Sequence, residues 1–498
     1  TRGDIFYSRR IGKTPALFFS VEDSLNDGES ILKNPVQQRL LNATKVSGRD
    51  KKGLAVGILN AITSNTYATV KNANGNTRKI LTDPFTNYNL LVFDQALKNN
   101  SYAYITNTNV LRDHDFRNAN VTAAGIALND KTNTYKLSLS AGISQIFTPA
   151  QDTTNRSVSR GYKYDAGFAR TKGNFQWTIS RSSMNDKFDA NDMGLTLYNN
   201  YNSNQASISY NIYTPFWRLR EMTNKITIIN QNNFTTHKPQ AAKLRYNTVL
   251  TTRSYLTIWF EAGTRFIETF DYYEPRTDGR YYMIPKVAWA NIGFSSDYRK
   301  QFAWDGGFDY YYSSRDNTKG FSVNMIPIVR MNDHFTFRFS VEYEKNYNDF
   351  GYVSKLDDDV IFGKRNIETY ENSLSGRYLF KNNVSLSLIA RHYYAQGEYG
   401  NFYTLLSDGN LALKTDYDGQ HDFIFNSFNV DMVFSWIFAP GSSLNFVWKN
   451  EIVTESTNIA GNYFSNFGDT FSEPQRNVIS LKILYYIDYL SVKNRISK

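Results

Sequence analysis

What most constrains this chain is a period of two. Phe335, Phe337, Phe339, Val341 and Tyr343 alternate with Thr336, Arg338, Ser340, Glu342 and Glu344. Such alternation belongs to a strand whose two faces meet different surroundings. It recurs at Tyr135, Leu137, Leu139, Ala141 and Ile143, opposite Lys136, Ser138 and Ser140. A third row is Phe428, Val430, Met432, Phe434, Trp436 and Phe438, opposite Asp431 and Ser435, and a fourth is Leu481, Ile483, Tyr485, Ile487 and Tyr489. Many runs last about 11–17 residues, where globular strands usually last ~5–6. A tilted strand needs ~9–11 residues to cross a bilayer. No sustained i, i+3, i+4, i+7 stripe with caps marks a helix.

Turn signals add a second regularity. Short polar turns are expected at residues 48–52, 98–100, 129–132, 171–174, 214–216, 253–254, 296–300, 331–334, 381–383 and 439–442. Longer polar loops are expected at 13–35, 65–87, 185–203, 349–365, 397–420 and 455–474. Short and long connections alternate, as in a transmembrane barrel with tight periplasmic turns and longer outer loops. These marks give about 21 strands between Gln37 and Leu490, and a bacterial single-chain barrel needs an even number. One more strand is therefore expected upstream, at residues 4–11. The expected fold is all-β: a single-chain transmembrane antiparallel barrel of about 22 strands (roughly 20–24), with both termini periplasmic. It would fill residues 1–498, with the first strand and lead-in loop in 1–36, the other strands in 37–490 and a periplasmic tail in 491–498.

Composition agrees with a barrel and excludes much else. The 498 residues have a mean hydropathy of −0.50, and no stretch approaches the ~20 apolar residues of a spanning helix. Aromatics make up 16% of the chain, which suits interfacial girdles better than a Leu-rich helical core. With no cysteine, disulfides, zinc-thiolate sites and a cysteine nucleophile are excluded. A propeller would show short strands and a motif recurring every ~40–50 residues, and none is present. The chain begins abruptly at Thr1-Arg2-Gly3-Asp4, as a mature or trimmed product would.

In lipid every backbone polar group must be paired within the protein, so a β chain spans only as a closed barrel. Rings at the two interfaces then form girdles. Tyr213, Phe216 and Trp217 flank Pro215 at a short turn and suit the periplasmic one; Tyr255, Trp259, Trp289, Tyr298, Trp304, Trp436 and Trp448 are further candidates. Lys136, Arg338, Glu342, Glu344, Asp431 and Lys449 are expected to line a lumen, most simply as groups solvating its water. At about 22 strands the lumen stays open unless something fills it.

The search for chemistry returns little. The five histidines are dispersed, and there is no HExxH, nucleophile elbow, phosphate loop or dinucleotide fingerprint. Asp357, Asp358 and Asp359 are weak candidates for a hard cation such as Ca²⁺, but lack EF-hand spacing, so a solvated acidic loop is the simpler reading. No catalytic residue or cofactor is expected. The formal charge of +10 attracts anions, yet no basic stripe of the density nucleic acid needs is present. Outer-membrane lipids and lipopolysaccharide are the expected partners, with other outer-membrane or periplasmic proteins beside them.

Several blocks are familiar: residues 7–12 (YSRRIG), 43–48 (ATKVSG), 53–63 (GLAVGILNAIT), 83–88 (DPFTNY) and 105–110 (ITNTNV). Together they resemble the barrel family catalogued as domain of unknown function 5916, found in Gram-negative bacteria. Its members generally carry, ahead of the barrel, a periplasmic module similar to carbohydrate-binding family 9, which this sequence lacks. The resemblance implies an outer-membrane barrel coupled to a glycan-binding module; it supplies no reaction and no catalytic residue. Arg9 and Arg10, on the expected first strand, would pair with lumen acids or fix register.

Three functions follow in order. The first is a pore or transport conduit for small or glycan-like solutes. The second is a non-catalytic scaffold or accessory subunit, its lumen plugged by loops such as 13–35 and 65–87. The third is an outer-membrane enzyme. A TonB-dependent transporter would need a plug of well over a hundred residues, and only ~35 precede Val36, so that reading is not expected unless a plug was trimmed away.

Overall fold

In a computed structural model, residues 2–149, 157–315, 317–459 and 463–486 are described. The fold is all-β, and a large antiparallel sheet of about 22 strands dominates it. Its strands fall into two compact units, residues 1–209 with 227–241, and 210–226 with 242–498.

In the first unit each strand pairs with the next along the meander Leu40–Arg49, Leu54–Thr63, Thr86–Ala96, Tyr102–Arg112, Asn118–Asn129, Tyr135–Thr148, Ser157–Arg170 and Phe175–Met184. Alternation assigns the faces. Tyr135, Leu137, Leu139 and Ala141 are exposed on one side, while Gly142, Ser144 and Ile146 are buried on the other, which Lys136 shares. The connection after Leu54–Thr63 supplies Thr66–Lys71 and Thr77–Asp83, which form a separate sheet with Ser30–Lys33 from the segment ahead of Leu40–Arg49, closed over Val21, Ala68 and Val70.

In the second unit the meander runs Thr257–Arg265, Val287–Ser295, Phe302–Ser313, Lys319–Arg330, Phe335–Leu356, Asp359–Lys381, Val384–Leu405, Phe423–Ala439, Ser442–Ser456 and Arg476–Leu484. The three central strands have 22, 23 and 22 residues. The register Phe339↔Leu374↔Ala390↔Val430 keeps one face apolar, and Ser340↔Ser373↔Arg391↔Asn429 keeps the other polar.

The structure corrects several expectations. Residues 4–11 do not form a strand: Asp4 has φ +54° and Ser8–Arg10 is a single 3-10 turn. The sheet reaches its strand number instead with Leu411–Leu413, a three-residue piece on the end of Val384–Leu405. Residues 349–365 are not a loop, because both strands continue to a tight turn where Leu356 faces Asp359. Burial of Val360 and Phe362 with Tyr282 and Leu405 stabilises that extension. Part of the loop 455–474 is the helix Tyr463–Thr470. Ile487, Tyr489, Leu490 and the tail 491–498 lie outside the described residues.

Candidate functional site

The most organised polar site lies in the first unit, where residues 2–14 and 185–200 fold together on the polar face. Small side chains make the room: Ala123, Ser144 and Gly161 are among those facing these two segments. A Cβ on Gly161 would lie 2.1 Å from the Cα of Phe188, and one on Gly194 would lie 2.8 Å from the Ile5 carbonyl oxygen. Ile5 and Phe188 bury with Val121, Ala123 and Ala190. Met193 buries with Ala61, Tyr88, Leu90 and Val110, and Phe6 and Ile11 pack on that cluster.

Polar contacts fix the two segments in place. The Tyr7 backbone N–H donates to the Met193 carbonyl at 2.7 Å. Arg10 Nε donates to the Gly194 carbonyl at 2.9 Å, and another guanidinium nitrogen to Asn191 at 3.1 Å. Lys163 Nζ donates to the Gly3 carbonyl at 2.8 Å. Arg2 and Arg49 share Asp94 at 2.6 and 2.8 Å. Arg117 bridges Asp189 and Asp192 at 2.7 and 2.6 Å, and Arg112 meets Asp192 at 2.8 Å.

Two buried carboxyls in this region are driven in opposite directions. Burial alone would raise Asp192, but Arg117 and Arg112 overcome it and hold the group below its ordinary range. At Asp83 burial wins and the carboxyl is raised, although the Ala16 N–H donates to it at 3.1 Å. Burial lowers the Lys13 ammonium, with Arg112 adding to the effect. The arrangement is one of ion pairing and packing that holds residues 2–14 and 185–200 together.

The expected lumen residues occupy polar faces. Glu342 stands directly opposite Glu371, and Glu344 opposite Thr369, with Arg338 on the same side opposite Ser375. Asp431 is held by Arg391 at 2.7 Å and Lys449 at 3.2 Å. The acidic trio does not assemble: Asp357 and Asp358 form the hairpin turn, and Asp359 pairs with Lys414 at 3.2 Å. Among the described residues no group of three or more metal-ligating side chains comes together.

The aromatic candidates divide. Tyr213, Trp217 and Tyr255 are exposed at short turns, with Phe216 bridging to Leu219 and an Arg299 guanidinium 3.5 Å from the Tyr255 ring. Tyr298 gives its hydroxyl to Asp305. Trp304 and Trp436 lie on apolar faces beside Phe294 and Phe438. Trp448 lies on an apolar face opposite Met432 and Ile479, well along its strand, and donates to Asn477 at 3.0 Å. Trp259 and Trp289 are corrected to the polar face: Trp289 donates to Glu261 at 3.3 Å, and each indole covers a glycine across the strand pair, Gly293 and Gly263. Trp177, which is not among the expected girdle residues, stands on the apolar face against Phe168 at 5.3 Å.

A model for the family described as Domain of unknown function (DUF5916) matches residues 1–496. The chain belongs to the DUF5916 family. No curated protein matches it. Several of the blocks that carried the resemblance meet at these segments. Arg10 of the first holds the loop at 185–200, Ala61 of the third and Tyr88 of the fourth bury against Met193, and Val110 of the last completes that cluster. Arg10 thus grips a loop carbonyl and Asn191, where pairing with lumen acids or fixing of strand register was expected. Asp189 and Asp192 gave no signal of their own in the sequence, since their partners Arg112 and Arg117 are 72–80 residues away in the chain.

Proposed function

We propose that this chain is a bacterial outer-membrane β-barrel, with periplasmic termini, that acts as a conduit for small or glycan-like solutes and is gated by residues 2–14 and 185–200 acting as a plug. The carrying observation is the two-faced wall. Leu139, Phe168, Ile179, Phe308 and Tyr310 are exposed on one side of their strands. The opposite side carries charges of both signs, including Glu342, Arg391, Asp431 and Lys449. So extensive an exposed apolar surface suits lipid and not water. In lipid the sheet must close on itself to satisfy its edges, which leaves the charged side to water. No helix among the described residues is long and apolar enough to cross a membrane. The glycan part of the reading rests on the module that accompanies the family's barrels.

The ion pairs of Arg112 and Arg117 favour a second reading, a scaffold whose lumen stays plugged. Conductance in planar bilayers separates the two. As a gated conduit, the folded chain gives brief, small openings, and Arg117→Gln combined with Ile5→Ser gives larger, longer ones. Silence from both proteins, each shown to be inserted, contradicts the conduit and supports the scaffold.

A further inference from the structure

On the apolar face of the first unit lies an open groove of about 460 Å³. Leu137, Phe168, Ile179, Ala206 and Ile228 provide its floor. Towards the 185–200 end of the strands the lining turns polar, with Arg181, Asn204 and Asn230. The lining contains no acidic side chain. Arg181 is exposed, and its guanidinium donates to the Tyr164 hydroxyl at 3.0 Å, to Asn204 at 3.3 Å and to Asn202 at 3.4 Å. All three acceptors are neutral, and no ion pair neutralises Arg181 among the described residues.

Depth makes this charge informative. Arg181 and Phe175 share the apolar face of one strand, and Phe175 is its first residue after the short turn. Six residues of tilted strand lift Arg181 about 15 Å above that turn, well inside an apolar band ~25 Å tall. A guanidinium on a lipid-facing wall at that depth is costly, and ionisable groups kept there mark a function with a partner. Planar donors suit a phosphate, and the apolar floor below suits a hydrocarbon chain.

We propose that this groove binds an anionic membrane lipid, its phosphate against Arg181 and an acyl chain along Leu137, Phe168, Ile179 and Ile228. The site rests on the membrane reading above and gives it a lipid preference. Asn204 and Asn230 close the headgroup end with amides, which accept and donate to the glycerol and phosphate oxygens.

The test uses the full chain, first inserted into phosphatidylcholine vesicles and checked for acquired protease resistance. It is then taken into non-ionic detergent with equal phosphatidylglycerol and phosphatidylcholine and weighed by native mass spectrometry. The expected result is a several-fold excess of phosphatidylglycerol adducts, reduced to parity in Arg181→Gln, partly kept in Arg181→Lys, and unmoved by millimolar inorganic phosphate. An unchanged excess in Arg181→Gln, or displacement by inorganic phosphate, overturns the site. A mass of two chains that is lost in Arg181→Gln gives the groove to a second copy and also overturns it. Failure of the wild-type chain to insert in any vesicle sinks the membrane reading itself, whereas insertion without lipid preference sinks the groove alone.

Discussion

Gly161 lets the plug approach the wall. A methyl group there would collide with the Phe188 backbone, which cannot rotate away, whereas nothing stands within 4 Å of one added at Gly48. Gly161→Ala is expected to destabilise by about 1–3 kcal/mol, as overpacking does, and Gly48→Ala to change little in the same urea titration. Equal midpoints would mean that the loop at 185–200 does not press on the strand. Asp192 gives a second test, with its sign set by its arginines. Its folded pKa is depressed, so its contribution is full above the ordinary carboxyl pKa and is lost as pH falls through the folded value. Asp83 has the opposite sign, because its raised pKa makes ionisation a cost that acid relieves. Cleavage of the 185–200 loop by a protease active from neutral to acidic pH, taken relative to its rate on an unfolded substrate at each pH, should therefore rise as pH falls into the acidic range in the wild type. In Arg117→Gln it should already be high at neutral pH, and in Asp83→Asn it should stay near wild type. A flat profile in the wild type would contradict the role given to Asp192.

At the scale of elements, the helix Tyr463–Thr470 packs on the apolar face, with Phe467 against His392 at 4.8 Å and Phe428 against Phe471 at 4.9 Å. It covers two polar groups stranded on that face, since the Tyr463 hydroxyl meets Asn372 at 2.7 Å and His392 Nδ1 at 3.1 Å. Tyr463→Phe removes that shared partner and is expected to cost about 1–3 kcal/mol, read as a lower urea midpoint; an unchanged midpoint would mean the hydroxyl is dispensable. The long strands were legible because their alternation is strict, as from Phe335 to Glu344. Legibility failed where alternation did. Ile258, Trp259 and Phe260 are apolar in succession, so only the pairing of Trp259 with Gly293 decides which face the indole takes. Residues 4–11 alternate poorly, and Gly3, Asp4 and Gly12 adopt positive φ, which bends the segment into the plug. The helix was hidden because eight residues hold too little periodicity to announce themselves. The plug was illegible for another reason: its ion pairs join residues far apart in the chain, and only the fold brings them together.

At the scale of the whole molecule, the claim is that one side of the strands meets lipid and the other meets water. A chain without cysteine offers a clean background for placing single thiols. The direct measurement is to introduce cysteines one at a time along Leu137–Ala141 and Phe337–Val341, insert each protein into vesicles, and attach an environment-sensitive fluorophore. Lipid-borne quenchers should quench Leu137, Leu139, Ala141, Phe337, Phe339 and Val341, and aqueous quenchers should reach Ser138, Ser140, Arg338 and Ser340, giving a period of two in both. Equal quenching at neighbouring positions, or a chain that stays dissolved without detergent, would contradict the account.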